Sequence, residues 1–160
     1  MSRKGPAKIR KVEPEAVYNS VTVAKIINGS MYAGLKNAAS KQVYDALDLI
    51  KKEMPKEDVV VILEQALDNI KPKVEVRPRR IGGAVYQVPT QVRGNRQYSL
   101  AIRWLVQSAR AKANKQFHTF AEKLADEIKL ALKNEGNSIT KRQEVERMAE
   151  ANKAFAHLRW

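Results

Sequence analysis

Three observations place this chain in the mainly α class, as a single domain of about six helices with a protruding β-hairpin arm between the third and fourth. Its 160 residues, 44% of them hydrophobic, suffice for one ordinary core and are too few for two large domains. Apolar residues recur at helical three-and-four spacing through most of the chain. Between Pro72 and Pro89 alone the period changes to alternation, around a Gly82-Gly83 pair that reads as a turn. The expected organisation is a basic, partly extended arm over residues 1–19 and a helical domain over 20–160, with the hairpin at 73–89.

Each element has its own local reason. Residues 21–31 form a short helix that Ser20 can cap. Over residues 38–54 the spacing of Ala39, Val43, Ala46, Leu47, Ile50 and Met54 predicts an amphipathic helix, closed by Pro55. Val60, Leu63, Leu67 and Ile70 repeat the pattern over 57–70, which ends at Lys71-Pro72. In the hairpin, Val74 and Val76 form one strand face and Tyr86 and Val88 another. Residues 78–84 between them are too many for a two-residue turn and predict a projecting tip with two arginines. Helical period returns over 95–113, with Tyr98, Ile102, Leu105 and Ala109 as the apolar stripe and Trp104 expected in the core. A further helix carries Phe117, Phe120, Ala121, Leu124, Ile128 and Leu132 and stops near Gly136. The last begins with Thr140 and Gln143 in capping-box register and runs toward Phe155.

The charge is segregated. Thirty Lys and Arg against 17 Asp and Glu leave a net charge of +13, which repels itself inside a compact fold unless a polyanion neutralises it. Residues 45–68 hold seven acids and three lysines, an ordinary solvated surface. Residues 76–121 hold no acid at all but nine cations: Arg77, Arg79, Arg80, Arg93, Arg96, Arg103, Arg110, Lys112 and Lys115. Arg96, Arg103 and Arg110 recur seven apart and build a basic ridge on one helix face. Arginine's planar fork suits phosphates and stacks on bases, so nucleic acid is the first partner expected. Arg3, Lys4, Lys8, Arg10 and Lys11 add a second basic stretch.

Other classes fit poorly. Without cysteine there are no disulfides, thiol nucleophiles or Cys-bearing zinc sites. No apolar run long enough to span a bilayer is present, nor a signal-peptide h-region after the basic start. His118 and His157 have no neighbours suggestive of a triad, and the Gly82-Gly83 pair belongs to no phosphate-loop motif. Glu144, Glu146 and Glu150 lie among Lys141, Arg142 and Arg147, where surface ion pairs are the simpler account than a metal site. Neither enzymatic activity nor a cofactor or metal is expected. A membrane-surface helix would need exposed aromatics opposite a basic face, whereas the aromatics here fall where a core needs them. An architectural DNA-binding protein with a basic β-arm is the competing expectation. Tyr86 either stacks on a base or packs against the hairpin root.

Three stretches, in order along the chain, carry a resemblance: VEVRPRRIGGAVYQVP at 74–89, LAIRWL at 100–105 and RMAEANKAFAHLRW at 147–160. They resemble the family of bacterial small ribosomal subunit protein seven, with similarity from about residue 21 to 160. The resemblance implies a six-helix, non-enzymatic domain that binds the 3′ major domain of small-subunit rRNA and nucleates assembly of the subunit head. It further implies proximity to exit-site tRNA and the mRNA exit, contact with platform protein eleven, and residence in cytoplasmic or organellar small subunits. Carried onto this sequence, the rRNA-facing set is Arg3, Lys4, Lys8, Arg10, Lys11, Lys36, Arg77, Arg93, Arg96, Arg103, Arg110, Lys112 and Lys115. The tRNA- and mRNA-proximal set is Arg79, Arg80, Gly82, Gly83, Tyr86, Lys141, Arg142 and Lys153. Leu35 stands where the family usually has lysine, which leaves Lys36 to carry that contact.

Overall fold

The computed structural model describes residues 5, 11–55 and 57–159, so the expectations for Arg3, Lys4, Lys8 and Arg10 lie outside the described residues. The elements are α1 (Val21–Ser30), α2 (Lys36–Glu53), α3 (Val59–Ile70), β1 (Val74–Ile81), β2 (Ala84–Gln91), α4 (Gly94–Ala111), α5 (Phe120–Leu132) and α6 (Asn137–Ala151). A 3-10 helix, Lys153–Leu158, follows α6. The fold is therefore mainly helical, with one antiparallel hairpin between α3 and α4.

Helix α5 is the hub, packing against α2, α3 and α4. Its Ala121, Ala125 and Ala131 are buried and small, which lets neighbouring helices approach, while Leu124 and Ile128 are fully buried between them. Ile26 and Ile27 of α1, Leu47 and Ile50 of α2, Ile62, Leu63, Leu67 and Ile70 of α3 and Leu105 of α4 complete the core. Each such side chain contributes about 1.5–3 kcal/mol on burial, and together they order the bundle. Trp104, expected inside, is half-buried at the edge of this core, in a groove with Val145 and Met148 of α6. It lies on the side of α4 that faces α6 and the hairpin root, next to the fully buried Leu105.

The starts of α1, α3 and α5 follow capping chemistry, whereas the N-cap residues of α2, α4 and α6 make no side-chain cap. Ser20 Oγ accepts from the Val23 N–H at 3.5 Å, and Asp58 from Val60 at 2.9 Å. Thr119 and Glu122 form a full capping box at α5. The box expected at Thr140 and Gln143 does not form, because α6 starts three residues earlier, at Asn137. Glu127 of α5 supplies that cap instead: it is fully buried and accepts from the Ser138 N–H at 3.0 Å and the Ser138 hydroxyl at 2.8 Å. Gly136 makes room for it. At φ +93°, a Cβ on Gly136 would lie 3.0 Å from Glu127 Oε1 and 3.1 Å from Leu130 Cβ.

The hairpin also departs from expectation. The strands pair all the way to Ile81 and Ala84, so the connection is the two-residue Gly82-Gly83 turn and not a seven-residue tip. Both glycines have positive φ, +56° and +90°, as a tight I′-like hairpin turn requires. Antiparallel alternation from that closing pair puts Pro78 and Pro89 at positions whose nitrogens face away from the partner strand, so neither breaks the ladder. The root is anchored to the body by contacts of β1 with α6 and of β2 with the 3-10 helix. There Val88 is fully buried and the Tyr86 and Phe155 rings lie 5.5 Å apart.

Candidate nucleic-acid interface

Helix α4 positions the centre of the basic surface. Arg96, Arg103 and Arg110 are all exposed along it, as is Arg93 at its N-cap. Beside the ridge, α1 approaches closely because Gly29 has no side chain; a Cβ there would sit 3.2 Å from Ile102 Cγ2. The resulting cleft of about 470 Å³ is lined by Lys25, Asn28, Ser99, Arg103, Gln107 and Arg110 among others. Arg110 is steadied in it by donating from Nη2 to the Ser30 carbonyl at 3.0 Å. Asn28 also borders a second cleft, of about 520 Å³, which brings Lys11 and Lys36 together with Tyr44 and Glu15. Lys25 is a residue that sequence reading missed; its place three residues before Asn28 on one helix face is the signal that could have found it.

The second part is the junction of hairpin and α4. Glu75, with its side chain 8% exposed, receives Arg77 at 2.6 Å and Arg96 at 2.8 Å, each guanidinium about half exposed. Burial pushes the Glu75 carboxyl up, but the hydrogen bonds and charges of Arg96 and Arg77 outweigh it and hold the carboxyl below the usual 4.5. Sequence reading missed Glu75 as well, since it stands one residue before the acid-free span.

Other members of the expected sets fall in different settings. Lys112 is turned inward: its side chain is 10% exposed and its ammonium lies 2.5 Å from Asp126 and 2.9 Å from Glu127. That ammonium neutralises the buried carboxylate and is not on offer to a partner. Lys123 is also buried, donating to the Lys112 carbonyl at 2.7 Å and so capping α4. Lys115 is exposed in the loop before α5. Arg79 and Arg80 lie on opposite faces of β1: Arg79 is half-buried and paired with Tyr86, whereas Arg80 is exposed opposite exposed Val85. Gly82 and Gly83 are exposed at the turn. Lys141 and Lys153 pair with Glu144 and Glu150 at 2.8 and 3.1 Å, and Arg142 donates to the Asn69 carbonyl, tying α6 to α3. The acids of residues 45–68 are exposed on α2, α3 and their link, elements that carry none of the arginine ridge.

His118 and His157 are exposed, and among the described residues no cluster of His, Asp and Glu is suited to a metal. No helix among them is long and apolar enough to cross a membrane. A helical body with an arginine-lined helix, a basic cleft beside it and a β-arm belongs to the class of basic, polyanion-binding architectures. The chain belongs to the family described as ribosomal protein S7p/S5e, whose model matches residues 2–153. It is 52% identical to the small ribosomal subunit protein uS7 of Caldicellulosiruptor bescii over 160 residues, the whole of both chains. The proteins of the same name from Thermotoga neapolitana and Sulfurihydrogenibium sp. are 51% and 49% identical, over 99% and 100% of each chain. The family is one of structural ribosomal proteins, and no catalytic activity is indicated.

Proposed function

We propose that this chain is a primary rRNA-binding protein of the small ribosomal subunit in the cytoplasm, where it binds the 3′ major domain and nucleates assembly of the head. The observation that carries the reading is the exposed ridge of Arg93, Arg103 and Arg110 with Lys25 beside it, for which no ion pair exists among the described residues. Such a ridge neutralises phosphates and releases counterions, and the rigid body with its arm matches the shape of folded RNA junctions better than a duplex groove. Arg77 and Arg96 meet at the hairpin junction, Lys11 and Lys36 line the neighbouring cleft, and exposed Lys115 joins the same rRNA-binding set. Arg3, Lys4, Lys8 and Arg10 join the same rRNA-binding set, whereas Lys112 stays outside it because of its internal ion pairs. The hairpin turn with Arg79, Arg80, Gly82 and Gly83, and the end of the chain with Lys141, Arg142 and Lys153, serve the exit-site tRNA and mRNA side, where platform protein eleven is also a neighbour. Tyr86 supports that side through Phe155.

The test is a competition between the isolated rRNA 3′ major domain and random duplex DNA. Strong preference for the rRNA, with affinity falling steeply as salt rises, is expected. Removing the charges of Arg93, Arg103 and Arg110 together should weaken rRNA binding at least tenfold and flatten the salt dependence by roughly two units of slope. Equal binding to both nucleic acids would refute the reading.

A further inference from the structure

An acid beside a phosphate-binding face is electrostatically adverse, yet Glu75 sits at the junction of hairpin and α4, buried, between two arginines. It joins two separate elements. Arg77 comes from β1 and Arg96 from the first turn of α4, and Arg96 donates through Nε to both carboxylate oxygens. Two half-exposed guanidiniums would otherwise repel each other and sample many rotamers; the shared carboxylate fixes both at one separation and leaves the cluster with a net positive charge. Stability alone is a weak reason for such a triad, because buried ion pairs are often replaceable by apolar side chains without loss.

We propose that Glu75 is a positioning residue for RNA recognition, holding Arg77 and Arg96 as a pre-ordered pair of guanidiniums for the sugar-phosphate backbone of folded RNA. The inference rests on the rRNA-binding reading above and names how one part of that face discriminates. A fixed pair of forks loses little freedom when RNA arrives, and it matches phosphates only at the spacing a particular fold presents. A polyanion of arbitrary geometry gains nothing from it.

The sign of the effect separates this role from simple electrostatics. Glu75→Gln removes a negative charge from a surface that attracts polyanions, so bulk attraction alone would tighten binding to every nucleic acid. The positioning role makes rRNA 3′ major domain affinity fall about tenfold, while affinity for random duplex DNA is unchanged or rises. In an Arg77→Ala, Arg96→Ala background the same change should cost nothing further. Should the glutamine variant not fold, Glu75→Asp keeps the charge, shortens its reach by one methylene and is expected to lower rRNA affinity alone. Unchanged or tighter rRNA binding, parallel losses on both nucleic acids, or an undiminished loss without the two arginines would each overturn the proposal. Failure of the unaltered protein to prefer rRNA would instead sink the functional reading itself, whatever Glu75 does.

Discussion

Gly136 and Glu127 show how much one residue can depend on another that the sequence does not place beside it. Glu127 is buried only because Ser138 and Lys112 satisfy it, and Ser138 can reach it only because Gly136 adopts φ +93° with no side chain in the way. Gly136→Ala should therefore cost about 2 kcal/mol, combining left-handed backbone strain with displacement of the carboxylate. Gly94→Ala is the matched control. Gly94 begins α4 with open space where a Cβ would go, and the change should be neutral or stabilising by about 0.5 kcal/mol. Denaturant midpoints of the two variants check this, and equal effects would refute it. From sequence, Thr140 and Gln143 had the local pattern of a cap, and nothing local marked Glu127, 11 residues from Ser138, as the competitor. The same holds for Lys112: its count as a cation was visible, whereas its direction, toward Asp126 and Glu127, depended on α5.

At the scale of the element, period was legible and polar detail was not. Helices α1 to α5 begin within three residues of where apolar spacing puts them, because burial against neighbouring helices dictates that spacing. The hairpin was visible as a change of period, yet its outer strands carry Pro78, Arg79 and Arg80, which read as part of the tip because no apolar alternation marks them as paired. The junction of this ribbon with α4 should respond to acid. Glu75 has its carboxyl held below 4.5 in the fold, so its ion pairs contribute in full above that pH and are lost as pH falls through the depressed folded value. Amides at the root, such as Val92 donating to the Lys73 carbonyl at 3.1 Å, should then lose protection relative to core amides of α5 below about pH 4.5. Hydrogen exchange corrected for intrinsic pH dependence would show the step, which Glu75→Gln should abolish. A step that persists in the variant would assign the acid response to another group.

Across the whole molecule, the net charge of +13 and its segregation give salt two opposite effects. Arg93, Arg103, Arg110 and Lys25 share one region with no acid partner among the described residues, while the exposed acids gather on α2 and α3. Without RNA, this cationic region repels itself, and salt that shortens the Debye length to about 10 Å near 0.1 M should relieve the repulsion. The ion pairs that brace the core, Lys112 with Glu127 above all, are buried and should be little screened. The melting temperature of the protein alone is therefore expected to rise as potassium chloride goes from about 0.02 to 0.3 M, over the range where rRNA affinity collapses through loss of counterion release. At low salt, rRNA at about 100 times its dissociation constant should replace that screening and add about 2.7 kcal/mol of stability by mass action. Thermal melts with and without rRNA, run across the salt series, test both signs at once. The two melting curves should converge as salt rises; a melting temperature that falls with salt in the protein alone would mean that surface ion pairs outweigh the repulsion, and that the cationic face is neutralised within the chain and not by RNA.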